Sequence, residues 1–386
     1  MIAIIGGGIA GLIAAINLEK AGHECIIFEK QSHYGGRIAT KVIDGIPLDI
    51  GFQVLLTDYP MAHKYLDYSE LDLQPFSSGA VIFKDGKSTK FGDPLKNVNF
   101  LFPMLFSWAA TINDKILVYK LSKVLRIKSI DAIFESSETS TLDYLQKFGF
   151  SDKIINNFFR PFFGGIFLEE ELKTSSRMFE FVFKMFGEGS AAIPSKGMEA
   201  IPKQLRKSLK KTKIALSTEA NINENGTVEV DGKEIKVKGI VKAYAENEIW
   251  QGCTTNYYRV SKRILNGKII GLLADKNTMI NSFYYVNDEI ISVTSLEVFK
   301  PEIMDSKMRD EMKNKLGITP IDLIASFEVP NSLPVLNSLS QEDRSNFKLI
   351  NNIPFVEAGD HLYYGSLNAA IHGGEVAANT LMDHLE

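Results

Sequence analysis

Cysteine is scarce in this chain, and so is any excess of charge of one sign. Cys25 and Cys253 are the two thiols in 386 residues. They lie far apart with no pairing or ligand spacing, which excludes a disulfide framework and a zinc site and makes a reducing cytoplasm the expected setting. A formal net charge of -4 provides no basic field, so nucleic acid is not an expected partner. Long apolar runs are missing as well. The first 18 residues carry no charged side chain, but no basic region precedes their apolar run and three consecutive glycines interrupt it, which excludes an export signal. Residues 100–112 are broken by Pro103 and fall short of the roughly 20 residues that cross a bilayer. Core packing is their expected role, with a pocket wall or a membrane surface as the alternatives. There are no internal repeats and no low-complexity linker.

What is present is an ordinary globular balance, 45% hydrophobic and 23% charged, over a length that suggests about two domains. Residues 2–5 read as a buried strand, 6–11 as a turn, 12–20 as a helix and 24–29 as a second strand. From about residue 95 to 186 the apolar positions recur at helical spacing. Phenylalanine is dense there, with Phe158, Phe159, Phe162, Phe163 and Phe167 in one segment, more than one helix face needs for packing. A surface helix is expected over 198–211. Strands follow at 214–222 and 228–230 around Asn225-Gly226, then at 253–260, 268–273, 281–286 and 289–296. A helix over 305–316 and a C-terminal helix ending near residue 385 complete the reading. The order of these elements predicts interleaved domains.

Gly6, Gly8 and Gly11 form G-x-G-x-x-G between the first strand and helix. Without side chains there, the backbone of the turn can approach a pyrophosphate at the helix N-terminus. Glu29 ends the second strand, where a carboxylate can accept both hydroxyl hydrogens of an adenosine ribose and disfavours a 2'-phosphate. The loop leaving that strand carries Gly35-Gly36-Arg37, and a guanidinium there can neutralise a diphosphate through charge-assisted hydrogen bonds.

With that loop the chain resembles the flavin superfamily of amine oxidases, protoporphyrinogen oxidases and phytoene desaturases. Asp49-Ile50-Gly51-Phe52-Gln53 is similar to the D-x-G segment that passes close to the flavin, and Arg160-Pro161-Phe162 with Gly164-Gly165 to a motif of the desaturase-like branch. Pro194-Ser195-Lys196-Gly197-Met198 resembles P-x-G-G-M, with Lys196 replacing a glycine. Leu216 to Ala220 resembles the strand whose backbone meets adenine. Ala358-Gly359-Asp360 and Gly365 to Ile371 resemble the C-terminal signature, in which the aspartate binds the ribitol and a helix N-terminus faces the flavin. The resemblance implies FAD contacts at Gly6, Gly8, Ile9, Ala10, Gly11, Glu29 and Lys30, at Gly36 and Arg37, at Gly51, Phe52 and Gln53, and at Ala220, Gly359, Asp360, Ser366 and Leu367.

The expected architecture is α/β: a Rossmann-like FAD-binding domain from 1–80, 190–245 and 335–386, and a substrate domain of helices over an antiparallel sheet from 81–189 and 246–334. The expected activity is hydride abstraction by FAD from a small, largely apolar organic substrate, in the manner of a desaturase or oxidase. No second glycine fingerprint follows a strand, so electrons leave to oxygen, a quinone or another carrier. A flavin amine oxidase and a non-catalytic FAD-binding scaffold or assembly protein are the alternatives. The amine reading needs an aromatic cage, for which residues 331–352 supply no Tyr or Trp and Tyr363 and Tyr364 are the candidates. His361 and His372 flank the last motif, but no residue earns a catalytic acid or base role. In each of the pairs Tyr257/Tyr258 and Tyr284/Tyr285 one ring is a candidate for facing a cavity, with sheet packing as the alternative.

Overall fold

The computed structural model describes residues 1–92, 106–246, 248–298, 301–336, 339, 342 and 345–385. Residues 100–105 of the apolar stretch at 100–112, and part of 331–352, lie outside the described residues.

Ile2–Ile5 is a strand buried along its whole length, as β-branched side chains favour when both faces of a sheet are covered. It pairs in parallel with Cys25–Phe28 on one side and Gly239–Lys242 on the other. The full order is Lys213–Ala215, Cys25–Phe28, Ile2–Ile5, Gly239–Lys242, Ile353–Glu357, Lys348–Ile350. Only the last pairing is antiparallel. Helices Ile9–Lys20 and Leu367–Met382 lie against each other on one face. Their backbones approach so closely that a Cβ on Gly374 would stand 2.4 Å from the Ala10 carbonyl oxygen. On the other face, Ala3, Ile5 and Phe28 pack with Ala220 and Val228 of a small antiparallel sheet.

A second, seven-stranded sheet runs Pro320–Pro334, Trp250–Val260, Ile290–Ser295, Ile280–Tyr285, Ile270–Leu273, Gly79–Lys84, Lys87–Gly92. All its pairings are antiparallel except Ile270–Leu273 with Gly79–Lys84. Helix Pro301–Glu311 and the π-helical turn Met312–Leu316 bury Met304, Met308 and Met312 against Tyr258, Phe283 and Tyr285. The opposite side receives helix Arg160–Phe167, where Asn281 Nδ2 donates to the Pro161 carbonyl at 3.0 Å. Gly165 permits that approach, since a Cβ there would stand 2.4 Å from Asn281 Oδ1. The preceding turn, Ile155–Phe159, is π-helical. Pro161, which has no N–H to continue a regular ladder, follows at once.

Several expectations are corrected. The first helix begins at Ile9, so it takes in half of the expected turn. The expected strand over 214–222 is two strands, Lys213–Ala215 and Ala220–Ile222, in different sheets. Ser217, at φ +52°, turns the chain between them. The helix at 198–211 is shorter, Ala200–Ser208. The 15-residue strand Pro320–Pro334 was not anticipated. Its internal Pro330 argues against a central strand, but this strand lies at a sheet edge, where a missing N–H is tolerated.

Candidate functional site

Strand Ile2–Ile5 stops where Gly6 takes φ +107°, and a Cβ there would lie 2.7 Å from the Ala243 carbonyl oxygen. At Gly11 the same atom would come within 2.0 Å of the Gly6 carbonyl oxygen. These glycines keep the turn tight enough for Gly8 to serve as the N-cap of Ile9–Lys20. Gly8 has no side chain to satisfy the first N–H groups of the helix, so that positive end remains available to an anion. Opposite it, a Cβ on Gly36 would stand 3.2 Å from Gly8 Cα. The two glycine segments named by the sequence are thus in direct apposition.

Glu29 is buried, and its carboxylate is held by two backbone donors. Gly7 N donates to Oε2 at 2.7 Å and Gln31 N to Oε1 at 2.8 Å. Each oxygen retains a further lone pair for another hydroxyl. Arg37 and Asp360, 323 residues apart in sequence, form an ion pair. The guanidinium also donates to the Ser332 carbonyl at 2.9 Å and lies 5.2 Å from the Trp250 ring centroid. Gln53 Nε2 donates to the Arg37 carbonyl at 2.8 Å, which ties the segment at 51–53 to the arginine loop.

Asp49 itself supports this segment from below. It is buried, and its Oδ1 accepts from Thr40 Oγ1 at 2.5 Å and from Met198 N at 2.8 Å. Burial pushes its carboxyl above the usual range, and those two donors partly oppose the shift. Lys196, in place of the family's glycine, is exposed and does not line the cavity that joins these groups. His361 stands at the wall beside Asp360, and burial holds its imidazole below the usual value.

One cavity of about 970 Å³ joins these groups, at the upper end of the roughly 300–1,000 Å³ range of ligand pockets. Gly6, Gly8, Ile9, Ala10, Glu29 and Lys30 line one end. Gly36, Arg37, Gly51, Phe52 and Gln53, with Gly359, Asp360, Ser366 and Leu367, line it as well. The walls continue to Phe158, Phe162, Phe183 and Phe186 of the helical region and to Ile270 and Leu272 of the seven-stranded sheet. Two expected contacts fall outside the wall. Gly11 is a packing glycine under the turn, and Ala220 is buried in the small sheet, paired with Val230. Ala243, Tyr244 and Ala245 line the cavity next to the glycine turn instead. They follow a strand that carries no motif, so the sequence offered no signal for them. Trp250 and Ser332 were missed for the same reason.

The candidate aromatic rings are placed elsewhere. Tyr257 and Tyr284 are buried between the sheet and the 49–52 and 76 segments, where the Tyr257 hydroxyl donates to the Asp49 carbonyl at 2.8 Å and the Tyr284 ring lies 5.1 Å from Phe52. Tyr258 and Tyr285 face the methionine helix. Tyr363 and Tyr364 are core residues, Tyr364 accepting from Asn368 and packing on Phe134 and Phe181. None of the six lines the cavity. Of the five clustered phenylalanines, Phe158, Phe162 and Phe163 reach it, whereas Phe159 is sealed in protein and Phe167 borders a separate, smaller pocket. Among the described residues no cluster of metal-ligating side chains occurs and no helix is long and apolar enough to cross a membrane.

A bare helix N-terminus and a carboxylate at the end of the adjacent strand, with an apolar chamber in continuity with both, have the form of a dinucleotide-cofactor site. Residues 9–241 match the flavin containing amine oxidoreductase family. The chain belongs to that family, is a flavin-dependent oxidoreductase and takes FAD as its cofactor. A 75-residue stretch is 31% identical to the 4,4'-diaponeurosporene oxygenase of Staphylococcus aureus (strain USA300), covering 19% of this chain and 15% of that protein. The chain therefore matches only a small part of that relative's length. The fold is shared over nearly the whole chain with an oxidoreductase from Methanosarcina mazei, at TM-score 0.73 and 15% identity over 99% of both chains. It is shared likewise with a CLA-producing fatty acid isomerase from P. acnes, at TM-score 0.72 and 18% identity over 98% of both.

Proposed function

We propose that the protein oxidises a largely apolar small molecule, bound in the Phe-lined chamber, at the expense of FAD held along the glycine turn and the Arg37–Asp360 pair. The observation that carries this reading is the continuity of one cavity from Gly8 and Glu29 to Phe158 and Phe162. The parallel sheet and its glycine turn support a Rossmann-like FAD-binding domain assembled from 1–80, 190–245 and 335–386. The seven-stranded sheet and the helices over it support a substrate domain from 81–189 and 246–334.

In this reading the N-terminus of Ile9–Lys20, with Gly6, Gly8, Ile9 and Ala10, holds the diphosphate, and Glu29 holds the ribose with Lys30 beside it. Gly36 and Arg37 approach the diphosphate from the opposite wall, and Gly51, Phe52 and Gln53 pass beside the flavin. Gly359 and Asp360 hold the ribitol, and Ser366 and Leu367 place a second helix N-terminus near the ring. When bound, the flavin supplies hydride acceptance from a substrate C–H bond. The side chains of this protein bind, orient and exclude water, and no catalytic acid or base is assigned among them. The electron acceptor is oxygen, a quinone or another carrier. An amine substrate is disfavoured because Tyr363 and Tyr364 are buried away from the cavity. The name of the 4,4'-diaponeurosporene oxygenase makes a long unsaturated hydrocarbon the first candidate to try.

The test is anaerobic reduction of the FAD-loaded protein with matched panels of unsaturated apolar lipids and primary amines, followed by loss of flavin absorbance. Bleaching by members of the apolar panel is expected. Bleaching by amines alone would overturn the reading.

A further inference from the structure

Helix Ile112–Ile127 is fixed at both ends. Thr111 and Asp114 form a reciprocal capping box, with Asp114 Oδ2 accepting from Thr111 N at 2.8 Å and Thr111 Oγ1 from Asp114 N at 3.1 Å. At the other end Lys184 Nζ donates to the Leu125 and Arg126 carbonyls at 3.1 and 3.0 Å. Leu121 and Leu125 anchor its inner side. The element is therefore rigid, and the chemistry of its outer face is a fixed property of the surface.

That outer face is apolar and basic together. Ile112, Ile116, Tyr119, Val124 and Ile127 are all exposed there, Ile116 by 60% and Ile127 by 86%. At about 100° per residue these positions fall on one side of the helix, together with the exposed cations Lys120, Lys123 and Arg126. The only acidic residue of the helix, Asp114, is buried in the capping box. The next acids, Asp131 and Glu135, belong to the following helix. Lys123 Nζ lies 4.6 Å from the Tyr119 ring centroid, so stem and ring share the same apolar surface while the ammonium stays outermost. A chain with net charge -4 thus concentrates three exposed positive charges within an apolar stripe. The adjoining flank of the helix, Val118, Tyr119 and Ser122, lines the cavity. Tyr119, 48% exposed, belongs to both surfaces, so the chamber meets the solvent beside the stripe.

We propose that this face of Ile112–Ile127 docks on the surface of an anionic lipid bilayer, with the apolar side chains entering the headgroup boundary and the cations meeting lipid phosphates. The helix lies on the membrane and does not cross it. Docking in this orientation turns the cavity mouth at Tyr119 toward the lipid, so an apolar molecule passes from bilayer to chamber without crossing water. A second protein chain fits the stripe less well, because three cations at its centre, with no acidic partner among the described residues, would have to be buried against a surface of complementary charge.

The test is flotation of the FAD-loaded protein with vesicles of phosphatidylcholine alone and with vesicles containing phosphatidylglycerol, with no substrate present. The outcome is therefore independent of the proposed oxidation. At low salt the protein is expected to partition at least about ten-fold more onto the anionic vesicles, and to be released as ionic strength rises. Paired substitution Lys120→Glu with Lys123→Glu is expected to abolish that preference, at about five-fold or more per cation. Ile116→Ser with Ile127→Ser is expected to weaken binding to both vesicle types. All four residues are exposed, and retention of FAD, measured alongside, is expected to be unchanged. The charge pair decides the matter even if the serine pair disturbs folding. Failure to float with anionic vesicles, or equal binding to neutral ones, would overturn the proposal. So would a dimer in the absence of lipid that Ile116→Ser with Ile127→Ser dissociates, which would assign the face to a second copy of this chain.

Discussion

At the level of single residues, Glu29 shows how a sequence pattern and its structural support differ. Its place at the end of the second strand was legible from the glycine spacing alone. The two backbone donors that hold its carboxylate, Gly7 N and Gln31 N, were not, because they depend on the path of the turn. They fix the rotamer, so in the proposed ribose role the oxygens need no further ordering. Glu29→Ala removes two charge-assisted contacts worth about 1.5–3 kcal/mol each before water competes. Affinity for FAD is expected to fall ten-fold or more, read as loss of bound flavin on dilution, while the substrates that reduce the remaining flavin stay the same. Unchanged retention would remove Glu29 from the ribose site. Arg37 and Asp360 give the complementary lesson: each was assigned to the cofactor separately, and only the fold shows that they pair with each other.

At the level of elements, legibility followed local pattern. The phenylalanine-rich helices were readable from their helical spacing. The first strand and helix and the strands between 280 and 295, which are buried nearly all round, were readable as apolar runs of fitting length bounded by glycines and polar turns. The edge strand Pro320–Pro334 was hidden by its prolines, and the split at Ser217 by a left-handed residue within a run of strand-like composition. Which phenylalanines line the chamber was hidden too, since Phe158, Phe162 and Phe163 differ from Phe159 and Phe167 only in how neighbouring elements cover them. This division is testable. Phe162→Trp is expected to narrow the chamber, weakening binding of an apolar fluorescent probe several-fold with the flavin retained and the melting temperature little changed. Phe159→Ala, in a sealed site, is expected to cost about 3–5 kcal/mol of stability. Equal effects of the two substitutions on melting would show that the lining has been misassigned.

At the level of the whole molecule, the two sheets share a cavity. Glu29 and Gly8 belong to the end of the parallel sheet, whereas Ile270 and Leu272 belong to the seven-stranded one. Interleaving brings this about, because the chain leaves the first sheet after Cys25–Phe28, enters the second by Gly79–Lys84, and returns to the first by Lys213–Ala215 and again, after the second sheet's remaining strands, by Lys348–Ile350. The missing linker in the sequence was the sign of it. On the proposed placement of FAD along this cavity, binding requires both halves folded and docked, and the cofactor is expected to act as a cross-brace as well as a reagent. At a free concentration of 100 times Kd it is expected to add about 2.7 kcal/mol. Unfolding a chain of 386 residues carries an entropy of about 2.1 cal/mol/K per residue, or roughly 0.8 kcal/mol/K in all, so the same energy corresponds to a rise of about 3 °C in Tm. Calorimetry of flavin-stripped and reconstituted protein checks this, and the rise is expected in one transition shared by both sheets. Two separate transitions, with only one of them moved by FAD, would show that the cofactor braces the parallel sheet alone and that the chamber wall from the second sheet is not coupled to it.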